Sequence, residues 1–254
     1  CLNMSDVNNP FLIYAYAGPK YFCDRIEETE HLISALRNGR NVTLMSPRRM
    51  GKTGLIQNVF HQIRRDYPEA ACFYMDIFST TCLDDFIIQF GQTVIGKLDN
   101  LSQKTLAAIS GFFKNCRLVF FPDVLTGVPQ ATLDFQPSQA QATLKEIFDY
   151  LEGDSTVFEQ GPMQKLAAEG QMKSFYHGGL LRSYIQFLPH VHFIFSGSKQ
   201  HLMAEMFGSA KRPFYRSTEK MNLTSIPLED YSLFAIRWMQ AGGKDLSDEF
   251  FQMI

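Results

Sequence analysis

No stretch of this chain stays apolar for the ~18 residues that a membrane-spanning helix requires, and no signal-peptide pattern opens it. Cysteine is sparse and scattered: Cys1, Cys23, Cys72, Cys82 and Cys116 form no C-x-x-C pair. An odd, dispersed set argues against a disulfide framework or a zinc site, and points to reduced thiols in a cytoplasmic protein. An excess of charge of one sign is lacking too. The 24 basic and 26 acidic residues leave a net charge of −2. That balance gives no bulk attraction for nucleic acid or membrane and leaves room only for a local basic patch. Internal repeats and low-complexity tracts are also absent.

What remains is an ordinary globular composition. At 254 residues and 45% hydrophobic content, the chain can bury one large core, or one core and the beginning of a second domain. It starts at Cys1 and stops at Ile254 inside a helical pattern, which suggests a fragment of a longer protein.

The most informative stretch is Ser46-Pro47-Arg48-Arg49-Met50-Gly51-Lys52-Thr53-Gly54. It follows the apolar run Val42–Met45 and precedes helical spacing at Leu55, Ile56, Val59, Phe60 and Ile63. Strand, tight loop ending in Gly-Lys-Thr, then helix is the layout of a phosphate-binding loop. Backbone N–H groups and the positive end of the helix dipole would cradle phosphates. Lys52 would reach the β/γ-phosphates and the Thr53 hydroxyl would ligate a phosphate-bound Mg²⁺. One position departs from G-x-x-x-x-G-K-[ST]: Ser46 stands where Gly is usual, and Ser is strained there if φ must be positive. The competing reading is a chance Gly-Lys-Thr in a surface turn.

Elsewhere, strands and helices alternate. Asp24 with Glu27 reads as a capping box that starts a helix with Ile26, Ile33 and Leu36 on one face. Residues 71–78 read as a buried strand, 102–120 as a helix, 131–135 as a short extended piece, and 140–152 and 178–188 as amphipathic helices. Residues 191–195 form a strand ending in Ser196-Gly197-Ser198, followed by a helix at 199–207, a basic loop, a strand at 221–226 and a last helix carrying Trp238. The expected class is α/β: a P-loop NTPase with a parallel sheet sandwiched by helices, its ligand at the carboxyl ends of the strands.

Several motifs together resemble one family. Tyr21-Phe22-Cys23-Asp24-Arg25 with Glu27 and Glu28, Asn38-Gly39-Arg40-Asn41, and the loop with its double arginine Arg48-Arg49 are similar to the archaeal-type AAA ATPases. Phe195-Ser196-Gly197-Ser198 and Arg212-Pro213-Phe214-Tyr215-Arg216 match that family too. The resemblance covers most of 10–240. It implies an additional-strand ATPase core over 23–243, ATP and Mg²⁺ as ligands, an N-terminal segment 1–22 near the nucleotide, and a helical or winged-helix region beginning at about 244. The implied activity is an ATP-driven conformational switch. A protein partner or self-association through the C-terminal region would fit such a switch, and a membrane would not.

The family also requires an apolar strand ending in an acidic pair, which orients Mg²⁺ and polarises the attacking water. Residues 154–177 hold no such run; Val157-Phe158-Glu159-Gln160 comes nearest. Three readings stay open. Hydrolysis has been lost, Glu159 serves alone, or the gene reads differently across this interval. Asp76 would be the Mg²⁺-orienting acid if its strand lay beside the loop strand; otherwise it only caps a strand end. Ser196 stands where a γ-phosphate sensor would sit, but small residues also make tight turns. Arg212 or Arg216 would act as an arginine finger, or else form an ordinary basic loop. His190 and His192 share a strand face without a third metal ligand.

Overall fold

A computed structural model describes residue 11 and residues 16–95, 109–122, 129–152, 156–160 and 179–243. The elements run in the order α1 (Ile26–Arg37), β1 (Val42–Met45), α2 (Lys52–Asp66), β2 (Ala71–Met75), α3 (Leu83–Ile95), β3 (Arg117–Pro122) and β4 (Pro129–Asp134). Then come α4 (Ala140–Glu152), β5 (Thr156–Gln160), a short helix α5 (179–185), β6 (Val191–Gly197), α6 (Gln200–Gly208), β7 (Glu219–Asn222) and α7 (Leu228–Ala241). Five strands form one parallel sheet in the order β2-β5-β6-β1-β7. β3 and β4 pair antiparallel as a separate hairpin. The expected α/β class is therefore met.

Period-two alternation decides which side chains go where. Val42, Leu44 and Ile194 pack with α1 and α2 through Leu32, Leu36, Leu55, Val59 and Phe60. Their strand neighbours Met45, Phe193 and Phe195 face the other way, toward α3, α4, α5 and α6. The sheet is thus covered on both sides, as a parallel sheet must be. On the second side Phe195, Phe207 and Phe214 form a triangle with ring centroids 5.2 to 5.5 Å apart. All three are essentially buried, each contributing about 1.5–3 kcal/mol by burial. Phe214 thereby anchors the 209–218 loop to β6.

Four local expectations change. The interval 154–177, where no strand was legible, contains β5, which stands between β2 and β6. Residues 117–120, read as helix, are strand: Arg-Leu-Val-Phe-Phe-Pro is rich in β-formers and pairs with 129–134. Part of the reading at 102–120, residues 102–108, lies outside the described residues. The third change concerns the start of α1. Asp24 (φ 53°) and Arg25 (φ 67°) are both left-handed, Arg25 is the N-cap, and no side chain caps the helix. The capping box at Asp24–Glu27 does not form. Lastly, α1 buries Thr29, Leu32, Ala35 and Leu36 while Ile26 is 66% exposed, so its inner face is rotated from the one expected.

Candidate phosphate-binding site

β1 is buried along its whole length and lies between β6 and β7. Past its end the chain stays tied to the sheet, Ser46 N–H donating to the Gly197 carbonyl at 3.5 Å and Leu223 N–H to the Met45 carbonyl at 2.8 Å. Ser46 is completely buried. Its φ is not positive; the left-handed conformations fall on Arg49 (φ 66°) and Gly51 (φ 80°). Replacing Gly by Ser at the first loop position therefore carries no left-handed strain. Gly51 does need its freedom, because it is the N-cap that turns the loop into α2.

No side chain caps α2. The opening N–H groups of this 15-residue helix thus leave a concentration of positive partial charge, roughly half a unit, at the loop. Lys52 is the first helical residue. Its ammonium donates to the Ser46 carbonyl (3.0 Å), Ser46 Oγ (2.8 Å) and the Pro47 carbonyl (2.9 Å), while Ser46 Oγ–H donates to the Pro47 carbonyl at 3.0 Å. All three ammonium protons are held over the loop. Burial brings the Lys52 pKa down to about 8. Thr53, Arg48 and Arg49 are exposed around the same loop.

The remaining sites read from the sequence separate into two groups. Ser196 stands level with Leu44 in the strand beside β1, and Ser198 follows directly after the residue level with Met45. Both are near the mouth of the loop. Arg212 is committed to an ion pair with Glu205. Arg216 is exposed, with its guanidinium 5.2 Å from the Tyr215 ring and a left-handed backbone (φ 54°).

Asp76 belongs to the other group. β2 is the edge strand, with β5 and β6 between it and β1, so the adjacency that would make Asp76 the Mg²⁺-orienting acid is not met. Glu159 is in β5, paired with Ile194, which is itself level with Val42. Its backbone lies three residues before the level of Gly197 and Met45, a distance of roughly 10 Å along the strand. Among the described residues, no group of three His, Cys, Asp or Glu is placed to hold a metal ion, which includes His190 and His192. No described helix is long and apolar enough to cross a membrane.

One residue entered the sequence reading only as part of a motif. Arg25 is 3% exposed and reaches under the loop. It pairs with Glu28 (2.6 Å) and donates to the carbonyls of Thr224 (2.5 Å) and Met50 (3.5 Å). An Asp-Arg at a helix start with Glu three positions on was the only signal, and it does not distinguish a surface pair from a buried strut. Nearby, Phe22 lies against α2 at Gly54, where an added Cβ would come within 3.3 Å of its ring. Tyr16 O–H donates to Asn58 Oδ1 at 2.9 Å. Residues 16–22 therefore pack on α2 through these two side chains.

No family model matches the sequence, and no curated protein does. Solved structures do. The Walker-type ATPase PABY2304 of Pyrococcus abyssi superposes with a TM-score of 0.65 over 96% of this chain and 66% of that one, at 15% identity. The Aeropyrum pernix ORC2 protein, solved in ADPNP–ADP complexes, gives 0.56 over 91% of this chain and 55% of its own, at 14% identity. The Aeropyrum pernix ORC1 protein in complex with DNA gives 0.51 over 88% and 51%, at 10% identity. The likeness is one of fold: a parallel sheet flanked by helices, shared with these three proteins. This chain spans about half to two thirds of the length of these three proteins.

Proposed function

We propose that this chain binds the phosphates of ATP in the loop Ser46–Gly54 and hydrolyses it with Mg²⁺, driving a conformational switch. The observation that carries the reading is Lys52. A half-buried ammonium with three oxygen partners, at an uncapped helix N-terminus, is a ready-made receptor for oxyanions. Phosphate oxygens offer the same kind of acceptor with added charge, and charge-assisted bonds are about twice as strong as neutral ones. The residues fit a metal at one point, since Thr53, the second residue of α2, is exposed directly after the loop and carries a hydroxyl. Mg²⁺ would supply charge neutralisation between the terminal phosphates. Ser196 and Arg216 would read the γ-phosphate, the latter in cis or across a subunit contact.

The segment 16–22 would border the nucleotide, as its packing on α2 through Phe22 and Tyr16 suggests, and residues after 243 would begin a further region. PABY2304 is an ATPase and the ORC2 protein holds adenine nucleotides, which supports ATP and ADP as the ligands. DNA is a weaker inference: the ORC1 protein binds it, but the net charge of −2 here gives no steering toward it.

One observation favours a second reading, in which the chain holds ATP or ADP as a clamp with little turnover. Glu159, the nearest approach to an acidic motif, is set back along β5 from the loop level. Equilibrium dialysis with labelled ATP and phosphate release, measured on the intact protein and on Lys52→Ala, separate the readings. Binding that Lys52→Ala abolishes supports both, and no binding by the intact protein rejects both. Phosphate release above the Lys52→Ala background supports the ATPase; release no greater than that background leaves the clamp.

A further inference from the structure

We propose that Arg25 is a positioning residue that transmits occupancy of the phosphate loop to helix α7. Its guanidinium joins three segments distant in sequence. Nη1 is held by the Glu28 carboxylate at 2.6 Å, on α1. Nη2 is shared between two backbone carbonyls, Thr224 at 2.5 Å and Met50 at 3.5 Å. Thr224 lies in the connection from β7 to α7; Met50 immediately precedes Gly51, the left-handed residue that starts α2.

The two carbonyl bonds are unequal. The bond to Thr224 is short, whereas the one to Met50 sits at the outer limit of hydrogen bonding, where a shift of a few tenths of an ångström decides whether it exists. A loop that rearranges around phosphate moves the Met50 peptide, and the guanidinium is already fixed at its other end. Two-state behaviour of this kind needs a contact that differs between the states. The loose end at Met50 provides one.

The surroundings hold Arg25 in place. Asp24 and Arg25 adopt successive left-handed conformations without being glycine, a strain that persists only where neighbouring contacts over-determine it. The Arg25 carbonyl accepts from both Thr29 N–H (2.9 Å) and Thr29 Oγ1–H (2.6 Å). Asn58 of α2 donates to Thr29 Oγ1 at 3.2 Å and accepts from Tyr16 at 2.9 Å. Polar contacts therefore link the pre-α1 segment, α1 and α2 beneath the loop. A buried guanidinium so fully engaged is not replaceable by lysine, whose single ammonium cannot span carboxylate and carbonyls as a fork.

α7 carries its own reporter. Trp238 is the only tryptophan in the chain, stacked on Tyr21 with ring centroids 5.0 Å apart and planes 9° from parallel. The proposal rests on ATP occupying the loop, so binding and transmission are measured separately. Equilibrium dialysis with labelled ATP gives affinity; Trp238 emission, followed through the same titration on the full chain, gives the response of α7. The wild type should change its emission in step with binding. Arg25→Gln and Arg25→Lys should bind ATP within about threefold of wild type, a difference of under 1 kcal/mol, yet lose most of the emission change.

Variants that keep the full change overturn the proposal, as does a wild type that binds ATP without any. A wild type that fails to bind ATP rejects the reading of the site instead. Should Arg25→Gln fail to fold, Arg25→Lys keeps the charge beside Glu28 and carries the comparison. Should both unfold, hydrogen exchange of residues 224–241 in the wild type decides: exchange that ATP leaves unaltered overturns the proposal.

Discussion

Raising the pH should loosen ATP while tightening the fold of the free protein, and both effects trace to Lys52. Burial depresses its pKa from 10.5 to about 8. A bound phosphate would favour the ammonium and return the pKa upward, so binding takes up a proton wherever free Lys52 is neutral. At about pH 7 some nine tenths of the free protein carries charged Lys52, and at about pH 9 some one tenth does. Affinity for ATP should therefore be flat below about pH 8 and fall about tenfold between pH 7 and 9, or about 1.4 kcal/mol.

The sign for folding is opposite. Between about 8 and 10.5 the unfolded chain binds more protons at this lysine than the folded one, so this contribution makes stability rise with pH across that window. Titration calorimetry of ATP at several pH values, repeated in buffers of different ionisation enthalpy, measures both affinity and proton uptake. Lys52→Arg serves as the control, because a guanidinium does not titrate there. Affinity equal at pH 7 and 9 with no proton uptake near pH 8 would refute the reasoning.

Two further perturbations probe the scaffold around this site. Gly91→Ala sets a methyl 2.1 Å from Leu133 Cδ1 and 2.8 Å from its Cγ, and Leu133 is only 3% exposed. Overpacking of about 1–3 kcal/mol should outweigh the ~1 kcal/mol gained in helix propensity, seen as a lower urea midpoint, and an unchanged or raised midpoint would contradict the close packing of α3 on β4. Ser46→Ala removes the hydroxyl that accepts from Lys52 and donates to the Pro47 carbonyl. It should lower the stability of the free protein by about 0.5–1.5 kcal/mol by the same assay, and no loss would mean that these bonds do not form in solution.

The strand–loop–helix unit around Ser46–Gly54 was legible in the sequence because its requirements are local: an apolar strand, a Gly at the turn into a helix, and a Lys at that helix's first residue. The period-two and helical patterns likewise fixed the α/β class, since burial on two sheet faces leaves its mark on every second or third residue. Strand order is another matter, set by long-range pairing. Only the sheet β2-β5-β6-β1-β7 showed that two strands stand between β2, which precedes Asp76, and the loop strand, that a strand exists at 156–160, and that Glu159 is level with Val42. Arg25 makes the same point at one residue. Its sequence context allows a surface salt bridge, and tertiary packing instead buries it between Met50 and Thr224, which are 174 positions apart along the chain (224 minus 50). Contacts of that separation leave no periodicity behind; they arise only when the folded chain brings the segments together.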